Sequence, residues 1–226
     1  MIKILSVGGS IIIPKTGFDI SFLKKFRSMI LQRVAKGERF ILVVGGGATC
    51  RQYQDAAKKI VKLSNKDLDK IGIYTTEMNA QFVRYLFKEN AHSEVISNPT
   101  KKVKTNKPII VASGWKPGCS TDFDAVLLAK TYGAKELLNL SNIEFVYDKD
   151  PSKYKGAKKI EEIDWKTFRK DIVGNKWVAG KNVPFDPIAS REAEKLRLKV
   201  SVLRGSNLKE VKKALNGDKF EGTVIM

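Results

Sequence analysis

Short hydrophobic runs alternate with longer amphipathic segments along most of this chain. The runs have the length of buried strands and lie at residues 2–7, 39–44, 108–112, 135–140 and 199–203. The amphipathic segments between them are long enough to cross from one parallel strand to the next. The alternation therefore predicts an α/β fold with a mostly parallel sheet covered by helices on both faces.

Amphipathic periodicity predicts where the main helices lie. They fall at residues 21–35, 49–63, 67–90, 121–132, 164–172, 186–196 and 207–215. The apolar spacing in the second helix predicts a buried face made of Tyr53, Ala56, Ala57, Ile60 and Val61.

Local signals sharpen several boundaries. Asp186 followed by Pro187 predicts a helix start, with the aspartate as N-cap and the proline in the first turn. Asn207 with Glu210 predicts a capping box for the last helix. Residues 94–97 and 220–226 are predicted as further strands.

Size and composition suit an ordinary α/β domain. The 226 residues, 42% of them hydrophobic, predict one domain over residues 1–226, with an N-terminal lobe at about 1–133 and a C-terminal lobe at about 134–226. Residues 2–7 are interpreted as a strand rather than a signal peptide, and no run of 18 apolar residues predicts a membrane span. With two cysteines, Cys50 and Cys119, we expect a cytoplasmic protein with no membrane partner.

The charge is strongly positive, with 42 Lys and Arg against 24 Asp and Glu and a formal net charge of +18. Such a surface attracts polyanions, so nucleic acid is one candidate partner. The lysines are spread along the whole chain, however, with no arginine-rich arm and no zinc-finger spacing. A solvated basic surface explains this distribution better than nucleic-acid binding, and it would also attract small anionic substrates.

Three glycine-bearing loops each follow a predicted strand. The first contains Gly8, Gly9 and Ser10; the second spans residues 45–51 and ends at Arg51; the third spans residues 114–122. Ligands of open α/β sheets bind at this carboxyl edge, where glycines allow close backbone approach and helix N-termini attract phosphate. The three loops together predict a site for a molecule with several phosphates.

Neither common nucleotide-binding fingerprint is present. Residues 174–182 are the nearest match to a P-loop, but the spacing is one residue too long and ends in asparagine. No G-x-G-x-x-G motif follows a strand.

Five segments occur in an order that resembles the amino acid kinase superfamily, and within it the archaeal-type UMP kinases. They are residues 6–10, 43–47 with Arg51 and Tyr53, 114–122, 141–151 and 185–189. The resemblance covers essentially the whole chain. It implies a three-layer α/β/α sandwich that transfers the γ-phosphoryl group of ATP, bound with Mg²⁺, to UMP in pyrimidine nucleotide biosynthesis. It also implies a homo-oligomer, a hexamer built as a trimer of dimers.

The resemblance further implies roles for individual residues. The N-terminal lobe would bind UMP through Gly46, Asp69, Trp115, Lys116, Pro117, Gly118, Cys119, Ser120 and Thr121. The C-terminal lobe and the first loops would bind ATP through Gly8, Gly9, Ser10, Gly47, Arg51, Ser141, Asn142, Tyr147 and Asp150. Within these sets Asp69 would meet the ribose hydroxyls, and residues 115–121 would wrap the UMP phosphate. Asp186 and Arg51 would act near the transferring phosphoryl group, and no protein residue is implied as a metal ligand.

Two positions depart from the family pattern. The usual lysine of the first loop is replaced by Ser6, and a glycine of the Asp-Gly-Val-Tyr motif is replaced by Phe145. Because Ser6 carries no charge, we hypothesise that Lys15 supplies the missing cation, with Lys116 as another source of positive charge.

Alternatives remain at this stage. An isopentenyl phosphate kinase would carry a histidine near the second loop, but the only histidine is His92. A non-catalytic protein of this fold that binds nucleotides or oxyanions is also compatible with Ser6 and Phe145. Cys50, at a helix N-terminus, is interpreted as a packing residue rather than a reactive thiol.

Overall fold

The computed structural model describes residues 2–174 and 183–226. The strands are β1 (Ile2–Val7), β2 (Arg39–Val44), β3 (Ile109–Ala112), β4 (Glu136–Ser141), β5 (Val146–Tyr147), β6 (Lys159–Ile160), β7 (Glu162–Ile163), β8 (Lys199–Arg204) and β9 (Thr223–Ile225). The helices are α1 (Gly9–Ile12), α2 (Ile20–Val34), α3 (Gly47–Ile60), α4 (Asn65–Phe87), α5 (Thr121–Tyr132), α6 (Trp165–Thr167), α7 (Pro187–Lys195) and α8 (Leu208–Asn216). A 3₁₀ turn (Lys88–Asn90) follows α4, and a π-helical segment (Phe168–Val173) follows α6.

Within the described ranges, the main sheet has the strand order β3-β2-β1-β4-β8-β9-β7. The first five strands in this order are parallel, whereas β9 is antiparallel to β8 and parallel to β7. Strands β5 and β6 form a separate antiparallel pair. The predicted mostly parallel sheet is confirmed.

Hydrophobic clusters lie on both faces of the sheet because alternate residues of each strand point in opposite directions. Leu5 and Leu42 belong to one cluster, with side chains of α2, α4 and α8. Ile4 and Ile41 belong to the other, with side chains of α5 and α7. This arrangement explains why the central strands are almost wholly apolar and confirms the α/β/α layering.

The strand order reverses at β1. The chain adds β2 and then β3 on one side of β1, and then returns to place β4 on its other side. Ligands of open α/β sheets bind beyond the carboxyl ends of the strands at such a point. Here that position lies between Gly8, which follows β1, and Asn142, which follows β4; the N–H of Gly8 donates to Leu140 O at 2.9 Å.

Helix α3 differs from its sequence prediction. Tyr53, Ile60 and Val61 are 64%, 85% and 55% exposed, Ala56 is also exposed and Ala57 is half-buried. Only Ala48 is buried among the residues of this helix. The predicted inward face was wrong because periodicity reports an apolar face without reporting which neighbour covers it.

Two smaller predictions were also wrong. Residues 94–97 form no strand; Ile96 makes an isolated bridge to Ala112. Asn207 makes no side-chain capping bond, and the Glu210 carboxylate bonds to Lys213 and to the N–H of Glu221 rather than to Asn207. The N-cap at Asp186 is confirmed by its bond from the N–H of Ile188 at 2.5 Å.

Three other expectations can be placed as follows. Residues 175–182, which hold most of the P-loop-like stretch, lie outside the described residues. The division into lobes at residue 133 stays a prediction. Among the helices that the structure describes, none combines the length and the hydropathy needed to cross a bilayer.

Candidate active site

The three glycine loops meet at the carboxyl edge of the sheet around a cavity of about 560 Å³. Loop 1 is residues 8–10, loop 2 is residues 45–51 and loop 3 is residues 114–122. The cavity is lined by Ser10, Lys15, Gly46, Gly47, Cys50, Arg51, Gln54, Asp69, Gly72, Ile73, Thr76, Gly114, Cys119, Ser120, Thr121 and Asn142. Residues from α3, α4, α5 and the segment after β4 therefore converge on one space.

Loops 1 and 2 are in direct backbone contact. A Cβ atom added at Gly9 would lie 2.1 Å from the N atom of Gly47 and 2.5 Å from Gly45 O. Gly47 itself has a φ of +65°, a conformation that side chains with a Cβ rarely adopt. Glycine at these two positions is required by loop-to-loop packing, independently of any ligand.

Helix α4 holds loops 2 and 3 from the same side. Asn79 Nδ2 donates to Gly45 O at 2.9 Å and to Gly46 O at 3.0 Å. One turn earlier, Thr76 Oγ1 accepts from the N–H of Gly114 at 2.8 Å. Sequence reasoning missed both residues; the only signal was their polar character on the otherwise apolar inner face of α4.

Three aspartates accept backbone N–H groups of loop 3. Asp124 Oδ2 accepts from Trp115 N at 3.1 Å, and Asp69 Oδ2 accepts from Gly118 N at 2.8 Å. The third, Asp186 Oδ2, accepts from the N atom of Ser120 at 3.2 Å. Protein carboxylates thus occupy three of the amides that the sequence suggested for an anion. Loop 3 is shaped by this set of bonds before any ligand arrives.

Other donors around the cavity are free. Within the described residues, Lys15 and Arg51 form no ion pair although both line the cavity. Thr121, at the first turn of α5, likewise has no protein acceptor for its hydroxyl or its N–H in the part of the chain that the structure describes. Two cations and a helix N-terminus therefore remain available for phosphate oxygens.

Hydrogen bonds among three polar side chains link the end of β1 to the start of α5. Ser6 Oγ donates to Asp122 Oδ1 at 3.0 Å, and Asn139 Nδ2 donates to the same oxygen at 3.3 Å. Burial of this carboxyl and the nearby charge of Asp186 raise the pKa of Asp122 to about 7, although hydrogen bonds from Ser6 and from the Asp186 backbone lower it. In the ranges that the structure describes, the side chains bonded to Asp122 are the uncharged Ser6 and Asn139, and no cation is bonded to it.

Burial also raises the pKa values of the two cysteine thiols. Desolvation raises the pKa of Cys119 to about 12 and raises that of Cys50 above its ordinary value. Both cysteines are free. The interpretation of Cys50 as a packing residue is supported, since a thiol with a raised pKa is a poor nucleophile.

Not every predicted site residue reaches the cavity. Trp115, Lys116, Pro117 and Gly118 lie on the outer part of loop 3, with Lys116 Nζ 4.0 Å from the centre of the Trp115 ring. Gly8, Gly9, Ser141, Tyr147, Asp150 and Asp186 are also absent from its lining. Ser10 and Asn142 line both this cavity and a second one of about 520 Å³.

The segment after β4 carries the second departure from the family pattern. Phe145 is buried beneath Lys159, whose Nζ lies 4.7 Å from the ring centre. The next residue, Val146, donates its N–H to Thr223 Oγ1 at 2.8 Å. Phe145 is thus a packing residue, and Tyr147 and Asp150 follow it on the surface side.

His92 lies at the opposite edge of the sheet. Its N–H donates to the O atom of Ile109, the first residue of β3. Because parallel strands point their carboxyl ends at the cavity, the start of β3 is distant from it. His92 is therefore no part of the lining.

Comparisons with known proteins agree with this architecture. Residues 1–204 match the profile of the Amino acid kinase family. A uridylate kinase of Methanocorpusculum labreanum is 31% identical over 225 residues, which are 98% of this chain and 94% of that protein. The uridylate kinase of Methanocaldococcus jannaschii is 30% identical over 97% of this chain and 99% of that protein. The crystal structure of uridylate kinase from Archaeoglobus fulgidus has a TM-score of 0.83 at 27% identity, covering 100% of both chains. The chain belongs to the amino acid kinase family.

Proposed function

We propose that this protein is a UMP kinase, which transfers the γ-phosphoryl group of ATP to UMP and releases UDP and ADP. The observation that carries the proposal is a cavity that joins all three glycine loops to Lys15 and Arg51, two cations that form no ion pair with any residue in 2–174 or 183–226. The full-length relatives described above are uridylate kinases, which supports the same reaction and the same nucleotide.

UMP would bind on the side of α4 and loop 3. Asp69 already faces loop 3 through Gly118, so a ribose beside Asp69 would bring its 5′-phosphate to the N-terminus of α5. There Thr121 has a free hydroxyl and a free N–H within the described chain. Arg51, one turn into α3, can form paired hydrogen bonds to phosphate oxygens from the opposite wall.

ATP would bind on the side of loop 1 and the segment after β4. Ser10 and Asn142 line both cavities, so a triphosphate passing between them would reach the UMP phosphate. The ATP base and ribose would be held by Ser141, Asn142, Tyr147 and Asp150, and Gly8 and Gly9 would also contact ATP.

The reaction needs positioning and charge more than proton transfer. The second pKa of a phosphate monoester is about 6, so the UMP phosphate is largely a dianion at pH 7 and needs no base. Lys15 and Arg51 would stabilise the charge on the oxygens of the transferring group. Asp186 orders Ser120 and α7 beside them and acts through this positioning.

Mg²⁺ would enter with ATP. Among the residues described, no group of three His, Cys, Asp or Glu side chains has the arrangement of a metal site. We expect the ATP phosphates to hold most of the ion's coordination shell, where it would neutralise charge on the transferring phosphoryl group.

We also propose that the protein is a cytoplasmic homo-oligomer, a hexamer built as a trimer of dimers, in which the exposed apolar face of α3 and α4 is buried between subunits. This face is formed by Tyr53, Ile60, Val61, Tyr74, Met78 and Tyr85, each more than half exposed. A cluster of this kind on one pair of packed helices is typical of an interface. Helix α3 buries only Ala48 within its own chain, so a second copy would supply most of its packing.

A coupled assay of ADP release tests the proposal and separates it from its alternatives. Purified protein is supplied with ATP, Mg²⁺ and either UMP, CMP, AMP or isopentenyl phosphate. A UMP kinase turns over UMP fastest. Fastest turnover of isopentenyl phosphate would identify an isopentenyl phosphate kinase instead. Nucleotide binding without turnover of any acceptor would identify a non-catalytic nucleotide-binding protein.

A further inference from the structure

Asp124 is a buried carboxylic acid that the reaction above does not use. Its residue is 1% exposed and lies in the first turns of α5, directly behind loop 3. One oxygen, Oδ2, accepts from the N–H of Trp115 at 3.1 Å. The other oxygen, Oδ1, is buried and has no hydrogen-bond partner in the described chain.

The groups around Asp124 disfavour a negative charge there. Among the residues that the structure describes, the titratable and charged groups that face it are Asp186 at the start of α7, Asp122 on its own helix, and Lys116 and Cys119 on loop 3. Of these only Lys116 carries a positive charge, and its ammonium group is stacked on the Trp115 ring. An ionised Asp124 would thus be a third carboxylate in an enclosed cluster.

We propose that Asp124 is a positioning residue of the acceptor site, which holds loop 3 in its anion-binding form as an uncharged acid and weakens binding of the UMP phosphate when it ionises. This inference rests on the proposed function for the identity of the anion. An uncharged Asp124 leaves the positive potential of the α5 N-terminus available to the phosphate, whereas a charged one opposes it.

The pH range of the effect follows from the surroundings. Burial raises the pKa of Asp124 to about 8; the bond from Trp115 lowers it, while the charges of Asp186 and Asp122 raise it. Cys119 does not titrate in this range because burial raises its pKa to about 12. UMP is already a dianion above pH 7, since its second pKa is about 6. Burial raises the pKa of Asp122 to about 7, so this neighbour is mostly ionised before the window opens. A transition between pH 7.5 and 9 that is absent in Asp124→Asn therefore reports on Asp124.

The first experiment uses no nucleotide. The fluorescence of Trp115 is the emission of the wild-type protein minus that of Trp115→Phe. This difference is measured as the pH is raised from 6.5 to 9.5. We expect one transition near pH 8, absent in Asp124→Asn and retained in Asp171→Asn, which changes an exposed carboxyl far from loop 3. A flat wild-type signal would overturn the proposal, whether or not the protein phosphorylates UMP.

The second experiment measures the KM for UMP and kcat over the same pH range. We expect the wild-type KM for UMP to rise about tenfold from pH 7 to 9.5, because the ionised Asp124 repels the negatively charged phosphate. The value of kcat should change less than twofold. In Asp124→Asn the KM should change less than twofold. If the KM for UMP depends on pH equally in the wild type and in Asp124→Asn, the role assigned to Asp124 is refuted. If Asp124→Asn fails to fold, the wild-type KM profile and fluorescence titration still decide the matter.

Discussion

Ser6 Oγ donates a hydrogen bond to Asp122 Oδ1 over 3.0 Å, which links the end of β1 to the first turn of α5 without any positive charge. A lysine at position 6 would place an ammonium group between that carboxylate and the phosphates. Because serine cannot, the cations nearest to the cavity are Lys15 and Arg51, which the described chain leaves without acidic partners. We therefore expect the charge needed for phosphoryl transfer to come from Lys15 and Arg51 on the walls of the cavity rather than from the end of β1.

Replacement of Lys15 by alanine tests this source of charge. We expect kcat for ATP and UMP to fall about 100-fold, the usual loss when one stabilising group is removed from a transition state. The KM for UMP should change much less, because Arg51 and α5 still hold its phosphate. Steady-state kinetics measure both values.

The matched control is Lys25→Ala, which removes an exposed lysine from α2 outside the cavity. It should keep wild-type kinetics. A Lys15→Ala enzyme with full kcat would end the idea that Lys15 replaces the family lysine.

Asp69 should determine recognition of the ribose. Asp69→Asn retains an oxygen for the N–H of Gly118 but loses the charge, so loop 3 keeps its anchor while the ribose hydroxyls lose a carboxylate. We expect the KM for UMP to rise about tenfold, as for a lost hydrogen bond to a charged group, and discrimination against 2′-deoxy-UMP to diminish.

Asp67→Asn provides the comparison, since Asp67 lies on the same helix but caps it through Ser64 away from the cavity. Its KM should stay at the wild-type value. Unchanged discrimination between UMP and 2′-deoxy-UMP in Asp69→Asn would contradict the assigned role.

Asp124 should make stability depend on pH. The folded protein raises the pKa of this acid to about 8, whereas in the unfolded chain it is about 4, so folding increasingly penalises the charged form as pH rises between these values. Asp124→Asn should therefore match the wild type at pH 4 and exceed it by about 5 kcal/mol at pH 8, or about 15 °C in Tm. Thermal unfolding at both pH values measures this difference, and a wild type more stable than the variant at pH 8 would be incompatible with it.

The exposed face of α3 and α4 should govern assembly. Met78→Glu places a charge in the centre of this face, on the opposite side of α4 from Thr76, and should lower the molar mass seen by analytical ultracentrifugation. Met78→Leu keeps the apolar volume and should assemble like the wild type. A wild-type protein that sediments as a monomer at micromolar concentration would contradict the proposal that this face is an interface between subunits.

Much of the fold could be predicted because its signals are local. The bounds of β1, β2 and α5 match the sequence expectation to the residue, since continuous apolar runs, a serine N-cap and Gly133 in the left-handed conformation are encoded in neighbouring positions. The direction of the α3 apolar face could not be predicted, because periodicity does not report which neighbour, if any within the chain, covers Tyr53 and Ile60.

Some features of the site could likewise be predicted from the sequence, whereas others could not. Glycine loops after strands are visible in the sequence, and so is their common edge. The bond between Asp69 and Gly118 joins residues 49 positions apart, and that between Ser120 and Asp186 spans 66. Such pairs depend on the packing of whole helices, so three amides that seemed available to phosphate proved to be held by carboxylates.

The most direct test of the central claim is the formation of UDP itself. Protein, ATP, Mg²⁺ and UMP are incubated together, and the nucleotides are separated and quantified over time. We expect UDP and ADP in equal amounts, with a higher kcat/KM for UMP than for isopentenyl phosphate or any other acceptor. ATP consumption without UDP, or a higher kcat/KM for another acceptor, would contradict it.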